Sequence, residues 1–86
     1  MNKKIEEAKV EYPRTWDYKV IGRDFQNVEN AISKILANKK FTMQKSNISS
    51  KGSYISVLLS TVVENEDIRN NIFVELKQHS DIKMVL

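Results

Sequence analysis

Apolar and polar positions change their period several times along this chain, and each change marks an element. Over residues 15–21 the period is two: Trp16, Tyr18 and Val20 fall on one side, Asp17, Lys19 and Ile21 on the other. Aromatic and β-branched residues at that spacing predict a strand. Gly22 follows where the chain must turn. Asp24 stands where a helix N-cap belongs, able to accept the unpaired N–H groups of the first turn. Phe25, Val28, Ala31, Ile32, Ile35 and Leu36 then recur every three or four residues. That spacing predicts an amphipathic helix ending around Asn38, Lys39 and Lys40, with cations on the negative end of its dipole.

Residues 41–46 read as a second strand whose inner face carries Phe41 and Met43. The polar run Ser49-Ser50-Lys51-Gly52-Ser53 predicts a hairpin connection, with Gly52 available for a left-handed backbone. Residues 54–63 alternate most strongly, with Ile55, Val57, Leu59, Thr61 and Val63 on one face and Tyr54, Ser56, Leu58, Ser60 and Val62 on the other. Asn65 caps a second helix, with Glu66 and Asp67 in its first turn and Ile68, Ile72, Phe73 and Leu76 as its stripe. Residues 82–86 form a terminal strand.

The order β-α-β-β-α-β predicts an α+β fold, the ferredoxin-like sandwich, with a four-stranded antiparallel sheet in the order 4-1-3-2 and both helices on one face. The two most apolar strands, the first and third, become the central ones. With Trp16, Tyr18, Val20, Val57 and Leu59 beneath the helices, Ile21, Leu58 and Val85 face outward among Lys19, Ser56, Ser60 and Lys83. Three neighbouring strands would thus share a small apolar patch. Such a patch reads either as ordinary scattered exposure or as a contact surface.

Length and charge narrow the picture. The chain has 86 residues, which suit one domain at residues 15–86 preceded by an arm at 1–14. In the arm, Ile5, Ala8 and Tyr12 form one short stripe that Pro13 ends. There is no cysteine, which excludes disulfides and thiolate metal sites. The start Met-Asn-Lys-Lys-Ile-Glu-Glu lacks the apolar run of a secretory signal, and no segment approaches the ~20 apolar residues of a membrane helix. The expectation is a cytoplasmic protein with no membrane partner. Net charge is +3, but residues 30–63 carry five lysines (Lys34, Lys39, Lys40, Lys45 and Lys51) and no acid. Helix-end, strand-edge and hairpin-tip positions account for these lysines individually; an acidic partner is the other reading.

Candidate chemistry is sparse. His79 is the one histidine, near a helix end, and no nucleophile or orienting group stands at a useful spacing from it. Glu64, Glu66 and Asp67 read as complements to the helix dipole rather than as metal ligands. Neither a Gly-x-Gly nor a Gly-Lys-Ser phosphate loop occurs. The octapeptide Lys51-Gly52-Ser53-Tyr54-Ile55-Ser56-Val57-Leu58 begins like the third-strand signature of RNA-recognition motifs. Ser53 and Ile55, however, occupy the positions where base-stacking aromatics belong.

Three stretches carry a family resemblance: Trp16-Asp17-Tyr18-Lys19-Val20-Ile21-Gly22, then Ser49-Ser50-Lys51-Gly52-Ser53-Tyr54, then Met84-Val85-Leu86, with Tyr12-Pro13 as an aromatic–proline lead-in. Together they resemble the YbeD-like family of small bacterial proteins. The resemblance implies a βαββαβ fold similar to the ACT regulatory domains, which bind small effectors, usually amino acids, at domain interfaces. It implies no activity. The turn Ile21-Gly22-Arg23-Asp24 departs from ACT domains in lacking their usual proline–glycine pair. Taken together, these readings predict a non-enzymatic regulatory or adaptor domain that binds a protein partner, a second copy of itself or a small effector, with no cofactor and no metal. The candidate contact residues are Ile21, Gly22, Lys51, Gly52, Leu58 and Val85. The alternative is backbone binding of RNA or DNA through the lysine-rich 34–51 region.

Overall fold

The computed structural model describes residues 10–48 and 54–86. The expected stripe of Ile5 and Ala8, and the hairpin tip with Lys51 and Gly52, lie outside the described residues. The elements run β1 (Arg14–Gly22), α1 (Phe25–Ile35), β2 (Phe41–Ile48), β3 (Ile55–Val63), α2 (Glu66–Gln78) and β4 (Met84–Val85). They form one antiparallel sheet in the order β2-β3-β1-β4, which is the expected 4-1-3-2 read from the other edge.

Alternation decides which face is covered. β1 pairs with β3 along its whole length, from Arg14 opposite Val63 to Gly22 opposite Ile55. Tyr18, Val20, Val57, Leu59 and Val63 are buried on the helix side, where Val28, Ala31 and Ile32 of α1 and Ile72 and Leu76 of α2 meet them. Each fully buried aliphatic side chain contributes roughly 1.5–3 kcal/mol by leaving water. Buried polar groups are satisfied: the Thr61 hydroxyl donates to the Lys40 carbonyl at 2.9 Å, and the Tyr18 hydroxyl to that of Arg69 at 2.8 Å.

Both helix starts follow from their caps. The Asp24 carboxylate accepts the Asn27 N–H at 3.1 Å, and the Asn65 side chain accepts that of Ile68 at 2.8 Å. α1 ends earlier than its basic tail suggests, with Leu36 as C-cap. Lys39 instead reaches across to Glu64 at 3.2 Å. Gly22 is the last residue of β1 and is buried. A Cβ there would collide with the Val28 side chain and lie 2.7 Å from the Asp81 carbonyl, so crowding by α1 and by the segment before β4 requires glycine.

One orientation differs from expectation. Val85 pairs with Val20, shares its face and is 7% exposed, so it belongs to the core and not to the outer surface. β4 supplies Met84 to the outer face in its place, opposite Ile21 and 48% exposed. β2 also departs from simple alternation, since a bulge interrupts its pairing with β3 between Lys45 and Asn47.

Candidate functional site

Three surfaces gather residues able to make contacts. The first is the sheet face opposite the helices. Asp17 and Ser60 pair across β1 and β3, and the Ser60 hydroxyl donates to the Asp17 carboxylate at 2.6 Å. Lys19 faces Leu58, Ile21 faces Met84, and Thr15 faces Val62. Leu58 and Ile21 are half-buried, while Val62 is 49% exposed. Ile21 and Leu58 therefore face outward as the sequence put them, offset by two residues on adjacent strands. Met84 and Val62 complete the apolar face that Val85 was expected to supply. Met84 was hard to see because β4 is too short to show alternation, whereas the alternation of β3 already put Val62 on the face of Leu58.

The second surface lies where β1 turns into α1. Arg23, Asp24 and Asn27 face Ser80, Asp81 and Lys83 across a hollow of about 270 Å³. Gly22 is immediately behind this turn and shapes it by packing, without lending a side chain. Two carboxylates and two cations here offer paired charges of opposite sign. Three of them have contacts within the fold: Asp24 caps α1, the Arg23 guanidinium stands 5.6 Å from the Tyr54 ring centre, and the Asp81 carboxylate lies 3.9 Å from His79 Nδ1. His79 at the C-terminus of α2 orients the same segment, its Nδ1 accepting the Asp81 N–H at 3.1 Å.

The third surface is on the helix side, beside the start of β1. Trp16, Tyr18, Arg69, Asn70, Phe73 and Leu86 line a notch of about 370 Å³. The Arg69 guanidinium stands 4.4 Å from the Trp16 ring centre and that of Arg14 5.3 Å, so two cations stand against the indole. Burial pushes the Tyr18 phenol up to about 12 against an opposing pull from Arg69. The sequence placed Trp16 and Tyr18 under the helices. It gave no sign that Arg69 would stack there, because that contact joins residues far apart in the chain.

The lysine-rich stretch does not form one surface among the described residues. Lys39 pairs with Glu64, whose carboxyl is held below its usual range chiefly by that hydrogen bond. Lys45, expected to protect a strand edge, places its ammonium 4.7 Å from the Phe25 ring centre on the helix side. Lys34 is exposed in the last turn of α1, and Lys40 is exposed before β2. The RNA-type octapeptide also has the wrong parity: Ile55 shares the face of Val57 and Leu59, beneath the helices rather than on the open side. No group of three or more potential metal ligands and no helix long and apolar enough to cross a membrane occurs among the described residues.

The fold has solved counterparts. Protein HP0495 from Helicobacter pylori superposes with a TM-score of 0.80 at 25% identity, over 100% of this chain and 94% of that one. An ACT domain from a GTP pyrophosphokinase of Chlorobium tepidum gives a TM-score of 0.63 at 15% identity, over 87% of this chain and 97% of its own, a likeness of fold alone. In sequence, an uncharacterised protein of Campylobacter jejuni is 35% identical over 83% of this chain and 82% of its own length. A UPF0250 protein of Hahella chejuensis is 33% identical over 94% and 93%. Residues 7–86 match the family described as protein of unknown function DUF493, and the ACT-like fold agrees with the YbeD-like resemblance of the sequence. The chain therefore belongs to the DUF493 (UPF0250) family of small uncharacterised bacterial proteins with an ACT-like, ferredoxin-like fold.

Proposed function

We propose that this chain is a non-catalytic regulatory or adaptor module that binds a protein partner across the open face of its sheet. The observation that carries this reading is the apolar group Ile21, Leu58 and Met84 on a face that neither helix covers, with Val62 exposed beyond the Asp17–Ser60 pair. Apolar side chains brought together on one exposed face mark contact surfaces more often than scattered ones do. Lys19, Asp17 and Ser60 interleave with them and would supply a polar rim. Affinity capture from lysate with the wild type and a Leu58→Lys variant tests the reading. Loss of a recovered partner with the variant, at unchanged fold by circular dichroism, supports it; an unchanged set of partners overturns it.

A second reading concerns a small effector at the hollow between the β1–α1 turn and the α2–β4 connection. Arg23 and Lys83 beside Asp24 and Asp81 suit a compact ligand carrying both charges, and ACT-like folds often bind small effectors. Calorimetric titration with the common free amino acids checks it. Backbone binding of nucleic acid is less well supported, since Lys39 and Lys45 are engaged within the fold. A titration with short RNA and DNA at low salt, where such binding is strongest, removes it if no affinity appears.

A further inference from the structure

We propose that the edge of β1 beside Thr15 and Asp17 accepts an extended, acidic peptide of a partner protein as an added strand. Such a peptide would place an apolar side chain in the notch between Trp16 and Phe73 and a carboxylate against Arg14 and Arg69. The notch lies on the helix side, and the added strand would use the backbone of Thr15 and Asp17, whose side chains face the open side; Arg69→Gln therefore tests it without touching the open-face contact.

Among the described residues, backbone pairing leaves part of one edge of β1 open. β3 pairs with β1 along all of Arg14–Gly22, but β4 pairs with it at Val20 and Ile21, with one further exchange in which Lys19 and Leu86 bond each other's backbone at 3.0 and 2.9 Å. In an antiparallel strand, alternate residues direct both N–H and C=O to the same side. The backbone groups of Thr15 and Asp17 therefore point where those of Lys19 do, toward a side with no backbone partner among the described residues. The Thr15 carbonyl meets the Arg14 Nε at a long 3.4 Å. A row of such groups is a template for one more strand.

The notch fixes what that strand should carry. It lies alongside, about 370 Å³ in volume, with Trp16, Phe73 and Leu86 among its lining residues. An added strand would turn every second side chain toward it. Charge then selects among peptides. Glu66 stands 3.6 Å from Arg69 and offsets part of its charge, while Arg14 forms no ion pair among the described residues. A cation is left over beside the apolar notch, and a carboxylate on the incoming strand complements it.

Trp16 is the one tryptophan in the chain, so its fluorescence reports on the site directly. The probe is a capped heptapeptide, acetyl-Thr-Glu-Thr-Phe-Thr-Glu-Thr-amide, whose phenylalanine and glutamates share one face of an extended strand, titrated into the full-length protein at low salt. The expected result is a saturable change in emission, at least about tenfold tighter than for the same peptide with lysine in place of glutamate, or about 1.4 kcal/mol. Backbone N-methylation of the peptide's alternate amides should abolish binding. Asp17→Pro should weaken it on the order of tenfold, because proline removes an edge donor while edge strands tolerate it; circular dichroism checks the fold, and Arg69→Gln gives a second, conservative variant. Equal binding of the lysine peptide, retained binding after N-methylation, or no saturable change overturns the proposal. A Glu6→Lys/Glu7→Lys chain whose emission shifts without any peptide also overturns it, in favour of the protein's own N-terminal segment as occupant.

Discussion

At Gly22, β1, α1 and the segment leading into β4 come together without room for a methyl group. Adding one sets a Cβ against the Val28 side chain and a backbone carbonyl, and a carbonyl cannot rotate away as a side chain can. Gly22→Ala should therefore cost about 1–3 kcal/mol, measured by urea denaturation. Tyr18 gives a pH-dependent prediction. Its phenol titrates near 12 in the fold and near the ordinary 10 when unfolded, so the folded state holds the proton more tightly. The stabilisation is fully present below pH 10 and is lost as pH rises through 12. Replacing Tyr18 with phenylalanine removes both the titration and the hydrogen bond to Arg69. The wild type should lead Tyr18→Phe by about 1 kcal/mol near neutrality, and that lead should shrink above pH 10 when urea midpoints are compared. The sequence marked Gly22 as special and assigned it to a turn. The crowding that requires it involves Asp81, distant in the chain, and is invisible to any local pattern.

The elements were legible where a period runs long enough to be read. β1 and β3 alternate over nine residues each, and both helices announce themselves through Asp24 and Asn65. Asp24→Ala should cost about 1 kcal/mol, visible as a lower urea midpoint, since the Asn27 N–H loses its acceptor at the start of α1. Legibility failed at β4. A strand of two residues carries no period, so nothing in its sequence says which of Met84 and Val85 meets the core. The pairing with Val20 and Ile21 settles it. The same limit applies to Lys45: charge on an edge strand suggests solvent, yet its long apolar stem lets the ammonium reach the ring of Phe25.

Taken as one molecule, the sheet separates two surroundings. One side carries the core, and the other carries an apolar group among polar neighbours that β-alternation alone predicted for Ile21 and Leu58. The candidate contacts divided accordingly, since outward strand positions can be read from parity while stacked guanidinium groups cannot. The pairing order of the sheet also bears on how fast it can assemble. β2 and β3 are neighbours in the chain, whereas β1 must find β3 across α1, β2 and the hairpin. Closing that longer loop loses entropy before the distant contacts return it, which slows sheets of this kind. Insertion of β1 as the late event then sets the timing of folding. On that account, truncating Val20 to alanine should mainly accelerate unfolding, while truncating Met43 on the β2 side should mainly retard folding, a difference that stopped-flow chevrons resolve.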